Sequence, residues 1–180
     1  MIVPDTRSWT WVLDRACQEC GFDASQVDAS VVARMVRENA ATWLGLGQQA
    51  VIRPGRPDEG TWSTLEYACH VRDIYRLYDE RVDLMLTAEH PDFPDWDQDG
   101  SAVEDRYEDQ LPTRVVDELA AAGNELAFRL DRIDPHAWHR SGRRSDGASF
   151  TIESLSRYMI HDTTHHLWDV SKQSNRDADS

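Results

Sequence analysis

Four stretches of this chain repeat their apolar residues at helical spacing, and almost none alternates as a half-buried strand does. The first runs from about Asp28 to Leu46, with Val32, Val36, Trp43 and Leu46 as its stripe. Gly45, Gly47 and the Pro54-Gly55-Arg56-Pro57 segment close it. The second opens with Ser63 and Glu66 spaced as a capping box, flanked by Trp62 and Tyr67 at the two positions of a hydrophobic staple. Val71, Ile74, Tyr78, Val82 and Met85 continue it towards His90-Pro91. The third starts at Pro112, a residue suited to a first helical turn, and carries Val115, Leu119, Ala122, Leu126, Leu130 and Ile133 up to Asp134-Pro135. The fourth spans about Thr151 to Lys172, with Phe150 and Leu155 placed for another staple. Four such helices predict an all-α four-helix bundle, and the long acidic link from Pro91 to Leu111 permits a crossover connection. The segment from Arg140 to Gly147 reads as a loop. The expected layout is an N-terminal extension over 1–27, a bundle over 28–172 and a polar tail over 173–180.

Charge narrows the range of partners. The formal net charge is −14, so nucleic acid and anionic membrane surfaces are poor partners. No apolar run is long enough to span a bilayer. The start, Met1-Ile-Val-Pro-Asp-Thr-Arg7, lacks the pattern of a signal peptide, and a cytoplasmic location is expected. Three cysteines make no disulfide framework. Cys17-Gln-Glu-Cys20 is a lone CxxC, with neither a second CxxC nor a βαβ pattern. An incidental pair of thiols is the favoured reading; a metal half-site or a redox pair stays open.

The chemistry is concentrated near the C-terminus, in His161-Asp-Thr-Thr-His165. Histidines four apart lie on one helical face and can reach a single ion. His70, on the flank of the second helix, is a candidate third ligand that leaves coordination positions open. Spacing alone leaves satisfied core histidines as the alternative. Imidazoles suit zinc, nickel, iron or cobalt without choosing among them. Glu66, Asp73 and Asp169 could accept from their free ring nitrogens, whereas His166 points about 100° away from His165 and suits ligation less. Asp162 stands where HExxH has its general base, although one methylene shorter; a solvated or supporting acid is the alternative. Tyr158, His161, His165 and Trp168 face away from Ile152, Leu155, Met159 and Val170, so the helix is packed on two sides, with a pocket or homodimer contact on the second. Asp95-Trp-Asp-Gln-Asp-Gly100 begins like a calcium loop, but Arg106 occupies the position that needs a bidentate Glu. Arg140, Arg143 and Arg144 are candidates for holding an acidic substrate group, or form a solvated loop.

The segments Thr61 to Asp73 and Thr151 to Asp169 resemble the second- and fourth-helix signatures of the DinB/YfiT-like superfamily. The resemblance implies a bundle that binds one divalent metal through His70, His161 and His165. It also implies chemistry with a low-molecular-weight thiol such as mycothiol, bacillithiol or glutathione, as in mycothiol-dependent maleylpyruvate isomerase and thiol S-transferases. Three functions follow as expectations. The first is a transferase or isomerase acting on a small molecule, in which zinc, nickel or iron favours the thiolate and Arg140, Arg143 or Arg144 orients an acidic group. The second is a metal-dependent hydrolase with Asp162 as base. The third is a non-enzymatic metal-binding stress protein. The CxxC departs from the minimal pattern and leaves a second metal or a redox role open.

Overall fold

A computed structural model describes residues 9–178, with side chains through 174. The opening residues Met1 to Arg7 and the last two of the tail lie outside the described residues. Four long helices form the expected bundle: α1 (Ala29–Gln48), α2 (Thr64–Thr87), α4 (Pro112–Leu130) and α5 (Ile152–Ala178). Their starts follow from local chemistry. Asp28 caps α1 by accepting from the Ser30 amide. The capping box on α2 is complete, with Ser63 accepting from Glu66 N and Glu66 accepting from Ser63 N. The Trp62 and Tyr67 rings of the staple sit 5.6 Å apart. Pro112 occupies the first turn of α4. That helix ends at Leu130, short of Ile133, and α5 runs beyond Lys172 to Ala178.

The helix pairs in broad contact are α1 with α4 and α5, and α2 with α4 and α5. Consecutive helices α1 and α2 therefore occupy one diagonal, and α4 and α5 the other. The crossovers fall at the α1–α2 and α4–α5 links, whereas the long Pro91–Leu111 link joins the neighbours α2 and α4. Val36, Trp43, Leu65, Ile74, Leu119, Leu126, Ile152 and Leu155 fill the centre, each fully or almost fully buried. A Leu or Ile so buried contributes about 1.5–3 kcal/mol. Gly123 allows the closest approach: a Cβ there would lie 2.9 Å from the Ala40 Cβ and 3.1 Å from Tyr75 Cε2. A buried polar chain ties three helices together, with Tyr75 Oη donating to Asn39 Oδ1 and Asn39 Nδ2 donating to the Thr163 carbonyl.

Two segments read as loops carry structure. Within the long link, α3 (Gln98–Glu104) is capped by Asp97, which accepts from Gly100 N. The acidic run there is thus a helix start. Strands β1 (Asp92–Phe93), β2 (Ser141–Arg144) and β3 (Ser149–Thr151) form a small sheet, parallel between β1 and β2 and antiparallel between β2 and β3. It is too short for a period-2 pattern, which is why the sequence does not announce it. Among the described residues no helix is long and apolar enough to cross a membrane.

The N-terminal segment lies against α5. It contains short 3₁₀ turns at Thr10–Leu13 and Ala24–Gln26, both in contact with that helix. Val12 and Ala24 are fully buried. This segment covers His161 and His165 on the second aromatic face of α5, which the sequence left to a pocket or a subunit contact, whereas Tyr158 on that face packs against Phe150 and Arg144.

Candidate metal centre

Helix α5 presents two adjacent sets of ligands, each spaced i, i+4. One is His161 with His165; the other, one residue later, is Asp162 with His166. A step of one residue turns a helix by about 100°, so the sets face different neighbours. The structure does not bring His70, His161 and His165 together as one triad. It divides them between two groups, in each of which the candidate ligand atoms lie within 4.8 Å of one another. His70 joins Asp162 and His166. His161 and His165 join Cys17 and Cys20.

The first group lies between α2 and α5. The His70 ring is fully buried, and both its nitrogens lack a hydrogen-bond partner. A buried polar atom left unpaired costs about 1–3 kcal/mol, so an imidazole held this way fits a site for a metal ion. Burial, helped by the nearby His166, drives its pKa down to about 3, leaving the neutral, ligating form at neutral pH. Trp96 stacks on His70 at 5.0 Å and 6°, Trp62 lies 5.1 Å away and the His166 ring 4.8 Å away. Both nitrogens of His166 meet carboxylates: Nε2 is 3.1 Å from Asp162 Oδ1 and Nδ1 is 3.1 Å from Asp169 Oδ2. Burial opposes protonation of His166, but these two aspartates outweigh it and raise the pKa to about 9. Asp162 is pulled the other way, to about 2, because hydrogen bonding and charge from His166 overcome burial. Asp169 on the far side of a ligating histidine is the usual supporting arrangement in metal sites. Asp162 thus stands among the ligand atoms, where the sequence placed a general base.

The second group lies between α5 and the N-terminal segment. Cys17 Sγ is 3.7 Å from His165 Nδ1, and Cys20 Sγ is 3.9 Å from His161 Nε2. Both thiols are free. Burial lowers the His161 pKa to about 4 and lowers that of His165 as well. Burial also pushes the Cys20 thiol up to about 11, against the pull of the Phe22 backbone. Trp9 lies over both histidines, with ring centroids 5.9 and 5.6 Å away.

The arginines separate. Arg140 donates to the Met85 and Ala88 carbonyls and so closes the C-terminus of α2. Arg143 pairs with Asp92 on the surface. Arg144 alone is buried; it is held by Asp146 at 2.7 Å and Asp95 at 3.3 Å, with Phe150 and Tyr158 beneath its guanidinium. Tyr158, under the Arg144 guanidinium, is one turn before Asp162 on α5. The sequence reading ranked His166 below His165 as a ligand, and left Cys17 and Cys20 open as a metal half-site without naming the other half. The pattern that would have found the cysteines is Cys-x2-Cys with His-x3-His, a familiar pairing of half-sites. It was obscured because the halves stand at opposite ends of the chain.

Residues 52–170 match the family model of the DinB superfamily. The chain belongs to the DinB superfamily. The matched span holds His70, Asp162 and His166, and begins after Cys17 and Cys20. Among solved structures, this DinB protein is similar to YfiT from Bacillus subtilis, described as a probable metal-dependent hydrolase with an unusual four-helix bundle topology. The two share 15% identity at a TM-score of 0.68, over 97% of this chain and 94% of that one. At that identity the likeness establishes the fold. Comparison with curated proteins gives no match.

Proposed function

We propose that this DinB protein is a metal-dependent enzyme whose ion is held by His70, Asp162 and His166. The observation that carries the reading is the His70 imidazole, fully buried with two unpartnered nitrogens beside a carboxylate and a second imidazole. Two imidazoles and one carboxylate are the donor set of several hydrolytic zinc enzymes, and the set also accommodates nickel or iron. A divalent ion there supplies Lewis acidity, which polarises a carbonyl or phosphoryl oxygen or favours the thiolate of a bound thiol.

The chain's own residues supply the rest. Asp169 fixes the His166 ring, so that Nε2 faces Asp162. Trp62 and Trp96 line His70 and exclude water. Arg144 is placed to orient an anionic group of a substrate entering beside Tyr158, while Arg140 and Arg143 serve the scaffold.

Hydrolysis is the first reading, since the donor set fits it and YfiT is described in those terms. The thiol-dependent reading, a mycothiol S-transferase or isomerase, rests on the resemblance of Thr61 to Asp73 and Thr151 to Asp169, on α2 and α5, to superfamily signatures. The two differ in whether a thiol is consumed. A panel of ester, amide and phosphoester substrates, and of electrophiles with mycothiol, decides between them on protein loaded with zinc, nickel or iron. Turnover without thiol supports hydrolysis; turnover only with thiol supports transfer. Activity undiminished in the chelated protein or in His70→Ala overturns both.

A further inference from the structure

We propose that Cys17, Cys20, His161 and His165 form a second metal centre, closed and structural, which takes a zinc ion and fastens the N-terminal segment to α5. Four donors of two kinds converge on one point, from parts of the chain 141 and 148 residues apart. In a tetrahedral Cys2His2 site the ligand bond lengths place neighbouring donor atoms about 3.3–3.8 Å apart. For a sulfur–nitrogen pair those lengths imply about 3.6 Å, and the observed separations of 3.7 and 3.9 Å exceed it by a few tenths of an ångström at most. Cys-x2-Cys and His-x3-His are the half-site spacings that zinc uses in small structural domains.

Local structure presets the cysteine half. The Cys17 amide donates to the Phe22 carbonyl at 2.8 Å, and the Gly21 amide to the Cys17 carbonyl at 2.9 Å. Gly21 sits at φ +76°, a left-handed conformation that closes this tight turn and that side-chain-bearing residues rarely adopt. Both cysteines are thereby turned to the same side. The histidine half is preset by the α-helix. Behind it, His165 Nε2 faces Asp169 Oδ2 at 3.8 Å and Glu19 Oε2 at 3.9 Å, carboxylates suited to orienting a ligating ring.

All four coordination positions come from protein, so nothing is left for substrate, and this separates the centre from the His70 group. Zinc binding releases the two thiol protons to solvent, and the resulting set of two thiolates, two neutral imidazoles and Zn(II) is neutral overall. Thiolate donors select zinc over calcium or magnesium. The family match covers His161 and His165 but begins after Cys17 and Cys20, so the cysteine half of this centre is additional to it.

The test uses the full chain, reduced and loaded with Zn(II) or Co(II). Native mass spectrometry should count two zinc ions in wild type and one in the Cys17→Ser/Cys20→Ser double variant. The cobalt protein should show a thiolate-to-cobalt charge-transfer band in the near ultraviolet, absent from the double variant and retained in His70→Ala. X-ray absorption on wild-type protein should find sulfur at about 2.3 Å from zinc, a measurement independent of any variant. A single ion lost with the cysteines and kept in His70→Ala supports this centre and overturns the His70 one. Wild-type cobalt protein with no sulfur band, and a zinc count unchanged in the double variant, overturns the proposal. So does a Cys17–Cys20 disulfide in protein that takes up no second zinc after reduction.

Discussion

The two faces of α5 carry similar donors but are built in opposite ways. The face towards α2 offers nitrogen and oxygen, from His70, Asp162 and His166. It is assembled from long helices and leaves the His70 nitrogens unpartnered. The face towards the N-terminal segment offers sulfur and nitrogen, and is assembled from α5 and the short hydrogen-bonded turn Cys17–Phe22. The first donor set suits an ion that must share its coordination with a substrate. The second suits one that only has to hold on. One helix separates the two tasks by a single residue step.

The largest expected effect comes from His70→Ala. Removing this ligand should lower activity by about 1000-fold or more, since the Lewis acid goes with it. Metal at the cysteine group should remain, as measured by zinc content alongside turnover. Loss of both ions would show that the faces act as one site. Asp169→Asn comes next, because Asp169 lies 3.1 Å from His166 Nδ1 and 3.8 Å from His165 Nε2. Loss of a supporting carboxylate costs about 10–100-fold in metal affinity. The greater loss should fall on the His70 group, and competition with a calibrated chelator would reveal the opposite order. Val12→Ala should lower stability by about 1–2 kcal/mol through two lost methyl groups in a fully buried position. Urea unfolding checks the size, and unchanged turnover would confirm that the N-terminal face is separate from the chemistry.

The smallest effect is a dependence on acid. Burial would raise the carboxyls of Glu66 and Asp73, but Arg56 and Ser63 hold Glu66 low, and Arg72 and Tyr107 hold Asp73 low. The hydrogen bond from Arg144 brings Asp146 down to about 2. Each group titrates lower in the folded chain than its unfolded value near 4, so its contribution is full above about pH 4 and is lost as pH falls through the folded value. The bundle should therefore hold at pH 5, where protons already compete with metal for His166 and the Cys20 thiolate. Circular dichroism with metal analysis across pH 7 to 3 should show metal leaving before helix content falls. Simultaneous loss would mean that the ions support the whole frame.

Much of this was legible in the residues. The Ser63–Glu66 capping box, Asp28, Pro112 and the apolar stripes located the four long helices because those signals are local. His70 and the HxxxH pair marked the chemical region for the same reason. The grouping of ligands was not legible, since it depends on how α5 is rotated against α2, and packing of the whole bundle sets that rotation. Asp162 and His166 were as well spaced as His161 and His165, and only the tertiary arrangement shows which pair faces His70. Arg140, Arg143 and Arg144 looked alike in sequence, yet one closes a helix, one lies on the surface and one is buried.

The diagonal placement of α1 and α2 has a consequence for synthesis. As the chain leaves the ribosome, these two helices emerge before α4 and α5 but cannot pair broadly with each other. Their apolar faces wait for α4, and the histidine-bearing faces of α5 follow α4. No ion can be captured by either full set of proposed ligands before α5 is made. Synthesis of α5 would then set the earliest point at which either proposed centre could be completed.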